Sequence, residues 1–242
     1  MARVFITGSA DGLGQLAAKA LIAQGHEVVL HARNETRKRQ AMGQVRGAEG
    51  VVTADLALVD DTKELASKVN ALGRFDAIIH NAGVYQDSAE HIFAVNTLAP
   101  YILTCLTQRP ERLIYLSSGM HMQGHFRSES FNRGGRVSYS DSKLHVLMLA
   151  KAVARRWTDV YSNAVDPGWV PTRMGGKGAP DDLQKGYETQ VWLAASSDAA
   201  AKVSGNYFHH QKVTHHNPEA DDVSVQERFL TLCEEVTGVS FP

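Results

Sequence analysis

Seven short apolar runs, each long enough to form a β-strand, alternate along this chain with segments of helical periodicity. The runs begin near residues 4, 27, 50, 75, 112, 161 and 206. Strands that alternate with helices pair in parallel, because each helix carries the chain back to the edge where the next strand begins. The sequence therefore predicts an α/β fold with a doubly wound parallel sheet of about seven strands between two layers of helices.

The composition is that of one folded domain with no charge bias. The chain has 242 residues, 43% of them hydrophobic and 21% charged, and its formal net charge is −1. We predict a single domain over residues 1–242 that does not bind nucleic acid, because a basic surface is absent. The two cysteines, Cys105 and Cys233, form neither a disulfide framework nor a zinc spacing.

The targeting signals that sequence can reveal are also missing. The chain enters its first predicted strand at Val4 without an apolar leader or a cleavage signature. No apolar run approaches the length that crosses a bilayer. We expect a cytoplasmic protein without membrane insertion.

A glycine-rich segment between the first strand and the first helix predicts a dinucleotide site. Glycines here allow a tight turn and close approach of a pyrophosphate, which the unpaired N–H groups of the helix N-terminus then bind. The fold is accordingly expected to be Rossmann-like. The predicted contacts in this loop are Gly8, Ser9, Asp11, Gly12, Leu13 and Gly14.

The end of the second predicted strand indicates which dinucleotide binds. NAD-binding sites usually carry an acid at this place for the ribose hydroxyls, whereas the chain reads Ala32-Arg33-Asn34. A guanidinium pairs with a 2′-phosphate, so Arg33 and Asn34 favour NADP(H), with NAD(H) as the alternative. Glu35 supports the opposite interpretation, but it is expected to lie inside the next helix.

A tyrosine and a lysine four residues apart, Tyr139 and Lys143, follow the serine pair Ser117-Ser118. In a helix the two side chains lie on one face, one turn apart. A neighbouring ammonium favours the phenolate and should lower the pKa of Tyr139, which would let the phenol exchange a proton with a carbonyl or alcohol oxygen.

These elements together resemble the short-chain dehydrogenase/reductase family in its standard, non-extended form. The family's Asn-Asn-Ala-Gly segment begins with His80 here, and the interval from Ser118 to Tyr139 is longer than in the commonest members. That longer interval resembles the retinol dehydrogenase-like and daunorubicin ketoreductase-like branch. The resemblance rests on TGSADGLG at 7–14, Asp55-Leu56, Asn81-Ala82-Gly83, Asn96, Ser118, Tyr139 with Lys143, and PGWVPT at 167–172.

The resemblance implies further cofactor contacts. Asp55 would contact the adenine, the 81–83 backbone the adenosine ribose, and Val170 and Thr172 the nicotinamide carboxamide. These residues also have structural alternatives. Asp55 would cap a turn, Thr172 would cap a helix, and 81–83 would form a tight turn. The full set of added cofactor residues is Asp55, Leu56, Asn81, Ala82, Gly83, Tyr139, Lys143, Pro167, Gly168, Val170 and Thr172.

The resemblance also implies a catalytic set for hydride transfer between a ketone or aldehyde and an alcohol. Tyr139 would exchange the proton, and Ser118, preferred over Ser117, would orient the substrate oxygen. Lys143 would hold the nicotinamide ribose, and Asn96 would fix a water beside Lys143. The alternatives are an epimerase or dehydratase of the extended family, or a non-catalytic nucleotide sensor.

The remaining patterns concern substrate, metal and partners. We expect a small apolar carbonyl or alcohol substrate, admitted by a loop near 171–186. Trp169 and Met174 are expected near the substrate mouth, where they either form an apolar wall or pack into the core. His121 and His125, in the long interval, either meet the substrate or fill the loop.

The histidines at 209, 210, 215 and 216 match no metal-ligand spacing, so no metal is predicted. The helix from Tyr139 is apolar on nearly all sides, which predicts a homodimer, or a tetramer, through this surface.

Overall fold

A computed structural model of the chain describes residues 1–132 and 136–242, and all candidate residues fall within these ranges. The strands are β1 (Arg3–Ile6), β2 (Glu27–Ala32), β3 (Gly50–Thr53), β4 (Ala77–His80), β5 (Arg112–Leu116), β6 (Tyr161–Asp166), β7 (Tyr207–His209) and β8 (Lys212–Val213). The α-helices are α1 (Gly12–Ala23), α2 (Glu35–Gln44), α3 (Val59–Ala71), α4 (Ala89–Ile92), α5 (Ala99–Leu106), α6 (Tyr139–Arg156), α7 (Leu183–Ala195) and α8 (Val223–Thr237).

The strands form one sheet in the order β3-β2-β1-β4-β5-β6-β7-β8. The first seven pair in parallel, and β8 pairs antiparallel with β7 through a two-residue hairpin. The expected doubly wound Rossmann-like fold is confirmed, and the short edge strand β8 is an addition to the seven predicted strands. The strand order reverses between β1 and β4, which is where such a sheet opens a crevice for a ligand.

Two apolar cores cover the two faces of the sheet, because alternate residues of each strand point to opposite sides. In β1, Phe5 joins the core beneath α3, α5, α6 and α8, whereas Val4 and Ile6 join the core beneath α1, α2 and α7. The molecule therefore has the three layers that the alternation predicts.

The helical stretch over residues 89–107 is irregular. A π-helical segment over Phe93–Leu98 lies between α4 and α5. Pro100 lacks an N–H, so it cannot donate to the carbonyl of Asn96 four residues before it. A π-helical turn inside an α-helix is rare and often marks a functional site, and this one contains Asn96.

The C-terminal helix α8 covers the apolar surface of α6. Phe229 of α8 is fully buried and lies 5.5 Å from the His145 ring of α6 and 6.0 Å from the Phe131 ring, centroid to centroid. Arg155 and Arg156, at the end of α6, both pair with Glu227 of α8. The apolar surplus that suggested a dimer surface on α6 is thus buried within the chain.

Replacement of Phe229 by alanine tests how much α8 contributes to stability. Phe229→Ala should lower the free energy of unfolding by about 3–5 kcal/mol, the usual cost of truncating a buried phenylalanine. Val223→Ala, in the same helix at a side chain 48% exposed, is the matched control and should change stability little. Urea unfolding measures both variants, and equal losses would contradict the assigned packing.

Candidate active site

The glycine-rich loop after β1 fits a pyrophosphate. A Cβ at Gly8 would lie 2.8 Å from the Cα of Ala82, so only glycine allows this approach to the turn after β4. Gly12 has a φ of +56°, and a Cβ there would meet open space. Asp11 makes no side-chain cap, and the first turn of α1 contains no acid. The N-terminus of α1 therefore has no side-chain cap or acid that would compete with an anion, and these residues suit the phosphates of a dinucleotide.

Hydrogen bonds fasten this loop to the segment 81–83. The backbone N–H groups of Asn81 and Ala82 both donate to the hydroxyl of Thr7 at 3.0 Å. The Asn81 side-chain amide donates to the carbonyls of Thr7 and Gly8 at 3.0 and 3.1 Å. A Cβ at Gly14 would lie 2.4 Å from the same amide nitrogen. The segment 81–83 therefore has a structural role, because it holds the glycine-rich loop in place.

Three of the predicted cofactor residues point into the protein. Ser9 is fully buried, and its hydroxyl donates to the carbonyl of Ile6 at 2.8 Å. Leu56 belongs to the core beneath α3 and α5. Leu13 extends toward Gly186 of α7. The buried side chains of Ser9 and Leu56 are thus committed to the protein interior, so a contact of these two residues with a nucleotide stays a prediction that would involve their backbone.

His31, which the sequence analysis missed, joins three strand ends on the nucleotide side. Its Nδ1 accepts the N–H of Gly8 at 3.0 Å, and its Nε2 lies 3.1 Å from the carbonyl of Ala54, to which it donates. Its backbone N–H donates to the hydroxyl of Ser9 at 2.9 Å. Burial lowers the pKa of His31 to about 4, so the neutral ring that accepts from Gly8 is the stable form at pH 7.

The loop after β2 contains the residues expected at the adenosine ribose. Arg33 and Asn34 are exposed, and the Asn34 side chain caps α2 by accepting the N–H of Arg37 at 3.0 Å. Arg37, also missed, forms an ion pair with Asp11 across the mouth of the loop. Glu35 is the first residue of α2, as expected, and accepts a hydrogen bond from Thr53 at 3.1 Å. Two guanidiniums thus lie at this end of the site.

Asp55 has the capping role that was its structural alternative. One oxygen of its carboxylate accepts the N–H of Ala57 at 3.1 Å, and the side chain is partly exposed after β3.

The four predicted catalytic residues come from three elements that meet at the carboxyl edge of the sheet. Ser138 and Asp141 form a reciprocal capping box, which makes Tyr139 the first residue of α6. A Cβ at Gly83 would lie 3.3 Å from Nζ of Lys143 and 3.4 Å from Oδ1 of Asn96. Lys143 and Asn96 therefore both border the turn that follows β4.

Asn96 and Lys143 are both hydrogen bonded to backbone groups. The Asn96 side chain accepts the N–H of Val84 at 2.8 Å and donates to its carbonyl at 3.0 Å. Nζ of Lys143 donates to the carbonyl of Leu116 at 2.8 Å and lies 5.5 Å from the centre of the Tyr139 ring.

The ionisation of the Tyr139–Lys143 pair differs from the expectation. Burial raises the pKa of Tyr139 to about 12, and the hydrogen bond with Ser118 opposes that rise. Burial lowers the pKa of Lys143 to about 8, against the attraction of the Asp166 carboxylate. The predicted lowering of the Tyr139 pKa by Lys143 is wrong for this structure, because desolvation of the phenolate outweighs the ammonium 5.5 Å from the ring centre.

The two adjacent serines have different surroundings. Ser117 is buried, and its hydroxyl donates to the carbonyl of Lys143 at 2.8 Å. Ser118 is partly exposed beside Tyr139 and accepts the N–H of Met120 at 3.3 Å. Ser117 follows the last residue of β5 instead of ending the strand. Only Ser118 is placed to meet a substrate oxygen.

His121 has a structural position in the long interval. It is 1% exposed, its Nδ1 lies 2.7 Å from the carbonyl of Ser118, and its Nε2 accepts the N–H of Asn217 at 3.2 Å. It therefore supports the backbone of Ser118 and does not reach the substrate space. The backbone N–H of His125 donates to Asp141 at 2.8 Å, within the α6 cap.

The segment after β6 turns sharply at Pro167 and Gly168. Gly168 has a φ of +78°, and its N–H donates to the Asp166 carboxylate at 2.9 Å. Val170 is buried, and Thr172 caps a local turn by accepting the N–H of Gly175 at 3.2 Å. Because α7 begins at Leu183, the loop is shorter than the predicted 171–186.

Two of the four histidines near the C-terminus each lie beside one carboxylate. Nε2 of His216 lies 2.9 Å from Asp221, and Nδ1 of His209 lies 3.5 Å from Asp166. Within residues 1–132 and 136–242, no three His, Cys, Asp or Glu side chains are grouped as a metal site requires. In the same part of the chain, no helix is long and apolar enough to cross a membrane.

The buried neutral histidine predicts a stability that depends on pH. The pKa of His31 is about 4 in the folded chain and 6.5 ordinarily, so the unfolded chain binds the extra proton between these values. The stability should be complete above pH 6.5 and fall by about 3 kcal/mol as the pH drops toward 4. His145, with a pKa lowered to about 4, adds to the same trend.

Thermal unfolding between pH 7 and pH 4 measures this loss in wild type and in His31→Gln. The variant lacks the titrating ring, so its melting temperature should be lower at pH 7 and should decline less steeply. The exposed His215 gives a control, because His215→Gln should leave the slope unchanged. Parallel pH profiles in wild type and His31→Gln would contradict the assignment.

Comparison with known proteins agrees with this geometry. Residues 2–182 match the family model "short chain dehydrogenase". An uncharacterised oxidoreductase of Emericella nidulans is 44% identical over 100% of this chain and 99% of its own length. The short-chain dehydrogenase chyC of Penicillium rubens is 40% identical over 100% of both chains. Retinol dehydrogenase 14 of Mus musculus, 30% identical over 98% of this chain and 86% of its own, represents the branch named above.

Solved structures share the fold at lower identity. A protein of Mycobacterium paratuberculosis superimposes with a TM-score of 0.84 at 24% identity, covering 100% of this chain and 95% of that one. A short chain dehydrogenase of Shigella flexneri, complexed with NADP, superimposes with a TM-score of 0.68 at 22% identity. The superposition covers 87% of this chain and 97% of that one. With the family model and the fungal relatives, the glycine-rich loop and the Ser118–Tyr139–Lys143 arrangement show that the chain belongs to the short-chain dehydrogenase/reductase family.

Proposed function

We propose that this protein is an NADP(H)-dependent oxidoreductase that interconverts a ketone or aldehyde and an alcohol. The observation that carries the proposal is the convergence of Tyr139, Lys143 and Ser118 at the sheet edge that also holds the glycine-rich loop. This arrangement supports a proton donor, Tyr139, close to the proposed dinucleotide site.

The nicotinamide, when bound, supplies or accepts the hydride. The chain binds and orients the reactants and moves the proton. Ser118 holds the substrate oxygen, on which negative charge develops during reduction, and the Tyr139 phenol donates a proton to that oxygen. A pKa of about 12 keeps Tyr139 protonated at neutral pH, which is the state that reduction requires.

Lys143 and Asn96 support that proton transfer. A Lys143 ammonium stabilises the phenolate that forms as Tyr139 gives up its proton. Asn96 anchors Val84 through both backbone polar groups, so it holds the turn at Gly83 beside Nζ of Lys143. The water expected beside Asn96 remains part of the proposal.

The preference for NADP(H) is supported by the positive charge after β2. Arg33 is exposed at the strand end where an acid would select NAD, and Arg37 neutralises Asp11 at the edge of the phosphate loop. A 2′-phosphate would therefore meet two guanidiniums and no free carboxylate from Asp11.

An apolar substrate is supported by exposed side chains that follow Ser118 and β6. Met120 and Met122 are 39% and 40% exposed, and Trp169 and Met174 are 60% and 48% exposed. Large apolar groups that remain in contact with water around a polar centre are typical of a ligand-binding surface.

The expected cytoplasmic location and homodimer stay predictions. The burial of α6 beneath α8 removes the apolar surface from which the dimer was inferred, so an assembly would have to use another face.

Removal of the proton donor tests the mechanism. Tyr139→Phe should reduce kcat for ketone reduction by at least about 100-fold, because general acid catalysis contributes roughly 10²–10⁴-fold. Affinity for NADPH, measured by fluorescence, should change little. The matched control Tyr161→Phe lies at the start of β6, on the opposite edge of the sheet. Activity of Tyr139→Phe near that of wild type would sink the mechanism.

Removal of the positive charge after β2 tests the cofactor. Arg33→Ala should weaken NADPH binding by about tenfold, the loss of a charge-assisted hydrogen bond of roughly 1.4 kcal/mol, and should leave NADH binding nearly unchanged. Arg39→Ala, exposed on α2, is the control. Titration with both dinucleotides gives the ratio of dissociation constants, and equal losses for the two would refute a phosphate contact.

A further inference from the structure

A second tyrosine, Tyr85, is held at the mouth of the site by the turn after β4. The residue before it, Val84, has both backbone polar groups bound by the Asn96 amide at 2.8 and 3.0 Å. The residue after it, Gln86, has a φ of +53°, a left-handed conformation that non-glycine residues seldom adopt. Such backbone conformations persist where the surroundings enforce them, and they concentrate at ligand sites. The position of Tyr85 is thus fixed on both sides.

The Tyr85 ring contacts the ring of the proton donor. The two ring centres lie 4.7 Å apart, and the planes meet at 67°, an edge-to-face arrangement. Tyr85 is also 39% exposed. A large aromatic surface in direct contact with Tyr139 therefore remains open to an incoming molecule.

Two other exposed side chains at this edge of the sheet, Trp169 and Met120, are also apolar. Trp169 satisfies its only polar atom within the loop, because its indole N–H donates to the carbonyl of Gly175 at 2.8 Å. Met120 follows Ser118 at the end of β5, the neighbour of β4 in the sheet. Thioether and indole groups pack well against flat π-systems.

We propose that Tyr85 is a specificity-determining residue whose ring packs against an aromatic ring of the substrate, so that aryl ketones are preferred over saturated ketones of equal size. This inference rests on the proposed function, because it names the substrate class of the same site. Because the Tyr85 ring contacts the Tyr139 ring, a flat ring held beside Tyr85 would lie close to the proton donor. The aromatic contact should be worth a factor of about 2 to 10 in kcat/KM.

The test uses matched ketone pairs that differ only in ring saturation, of which acetophenone and cyclohexyl methyl ketone are the smallest. NADPH oxidation gives kcat/KM for each, and the aryl-to-saturated ratio is compared among wild type, Tyr85→Phe and Tyr85→Leu. Phenylalanine retains the ring, and leucine retains apolar volume without it. Tyr161→Leu, the same change on the opposite edge of the sheet, is the control.

Tyr85→Phe and Tyr161→Leu should keep the wild-type ratio. Tyr85→Leu should lower it by about 2- to 10-fold, through loss on the aryl substrate alone. Equal losses on both ketones would show that Tyr85 only supports Tyr139, and an altered ratio in Tyr85→Phe would assign the effect to the hydroxyl. Either result overturns the proposal.

Binding separates this inference from the proposed function. Calorimetry with NADP-loaded protein compares 1-phenylethanol with 1-cyclohexylethanol, and tighter binding of the aryl alcohol should disappear in Tyr85→Leu. No NADPH turnover with any ketone, together with retained aryl preference in binding, would refute the proposed reaction and leave the recognition by Tyr85 intact. Turnover or binding without any aryl preference in wild type would refute only the role of Tyr85.

Discussion

The site depends on the close contact between the glycine-rich loop after β1 and the turn after β4. Thr7 accepts two backbone N–H groups from this turn, and the Asn81 amide returns two hydrogen bonds to the loop. Gly8 fits against Ala82 only because it has no side chain. The contact joins neighbouring strands at the point where the strand order reverses, so it fixes the floor of the crevice. The glycine-rich loop forms one side of this floor. On the other side, Gly83 lies against the side chains of Lys143 and Asn96.

Burial decides the electrostatics of the catalytic pair. The same low-dielectric surroundings raise the pKa of Tyr139 and lower that of Lys143, because each neutral form costs less to bury than the charged one. The Tyr–Lys spacing alone predicts a lowered Tyr139 pKa, because it reveals the neighbouring ammonium but not the burial of the phenol. In the structure the phenol is the stable form, which suits a group that donates a proton to a carbonyl.

Several residues follow the sequence pattern and others do not. The Ser138–Asp141 capping box starts α6 at Tyr139. Because this cap and the Tyr–Lys spacing involve only neighbouring residues, the sequence alone can predict the helix that carries Tyr139 and Lys143. The roles of His31, Arg37 and Tyr85 depend on partners 23, 26 and 54 positions away, and no local spacing reveals such contacts. Of these three, His31 alone stands out in the sequence, because it is a polar residue directly after the apolar run Val28-Val29-Leu30. The inward orientation of Ser9 and Leu56 was likewise hidden, because a motif names positions without the direction of their side chains.

The sequence by itself determined the strand and helix alternation, the glycine loop and the order of Ser118, Tyr139 and Lys143, because these depend on short-range periodicity and turn chemistry. The tertiary structure alone decided which surfaces remain open. It buries the apolar faces of α6 beneath α8, turns His31 into a link between three strand ends, and leaves the Tyr85 ring exposed beside Tyr139. Burial and long-range contact exist only once the chain has folded, and here they set the pKa values and the shape that a substrate meets.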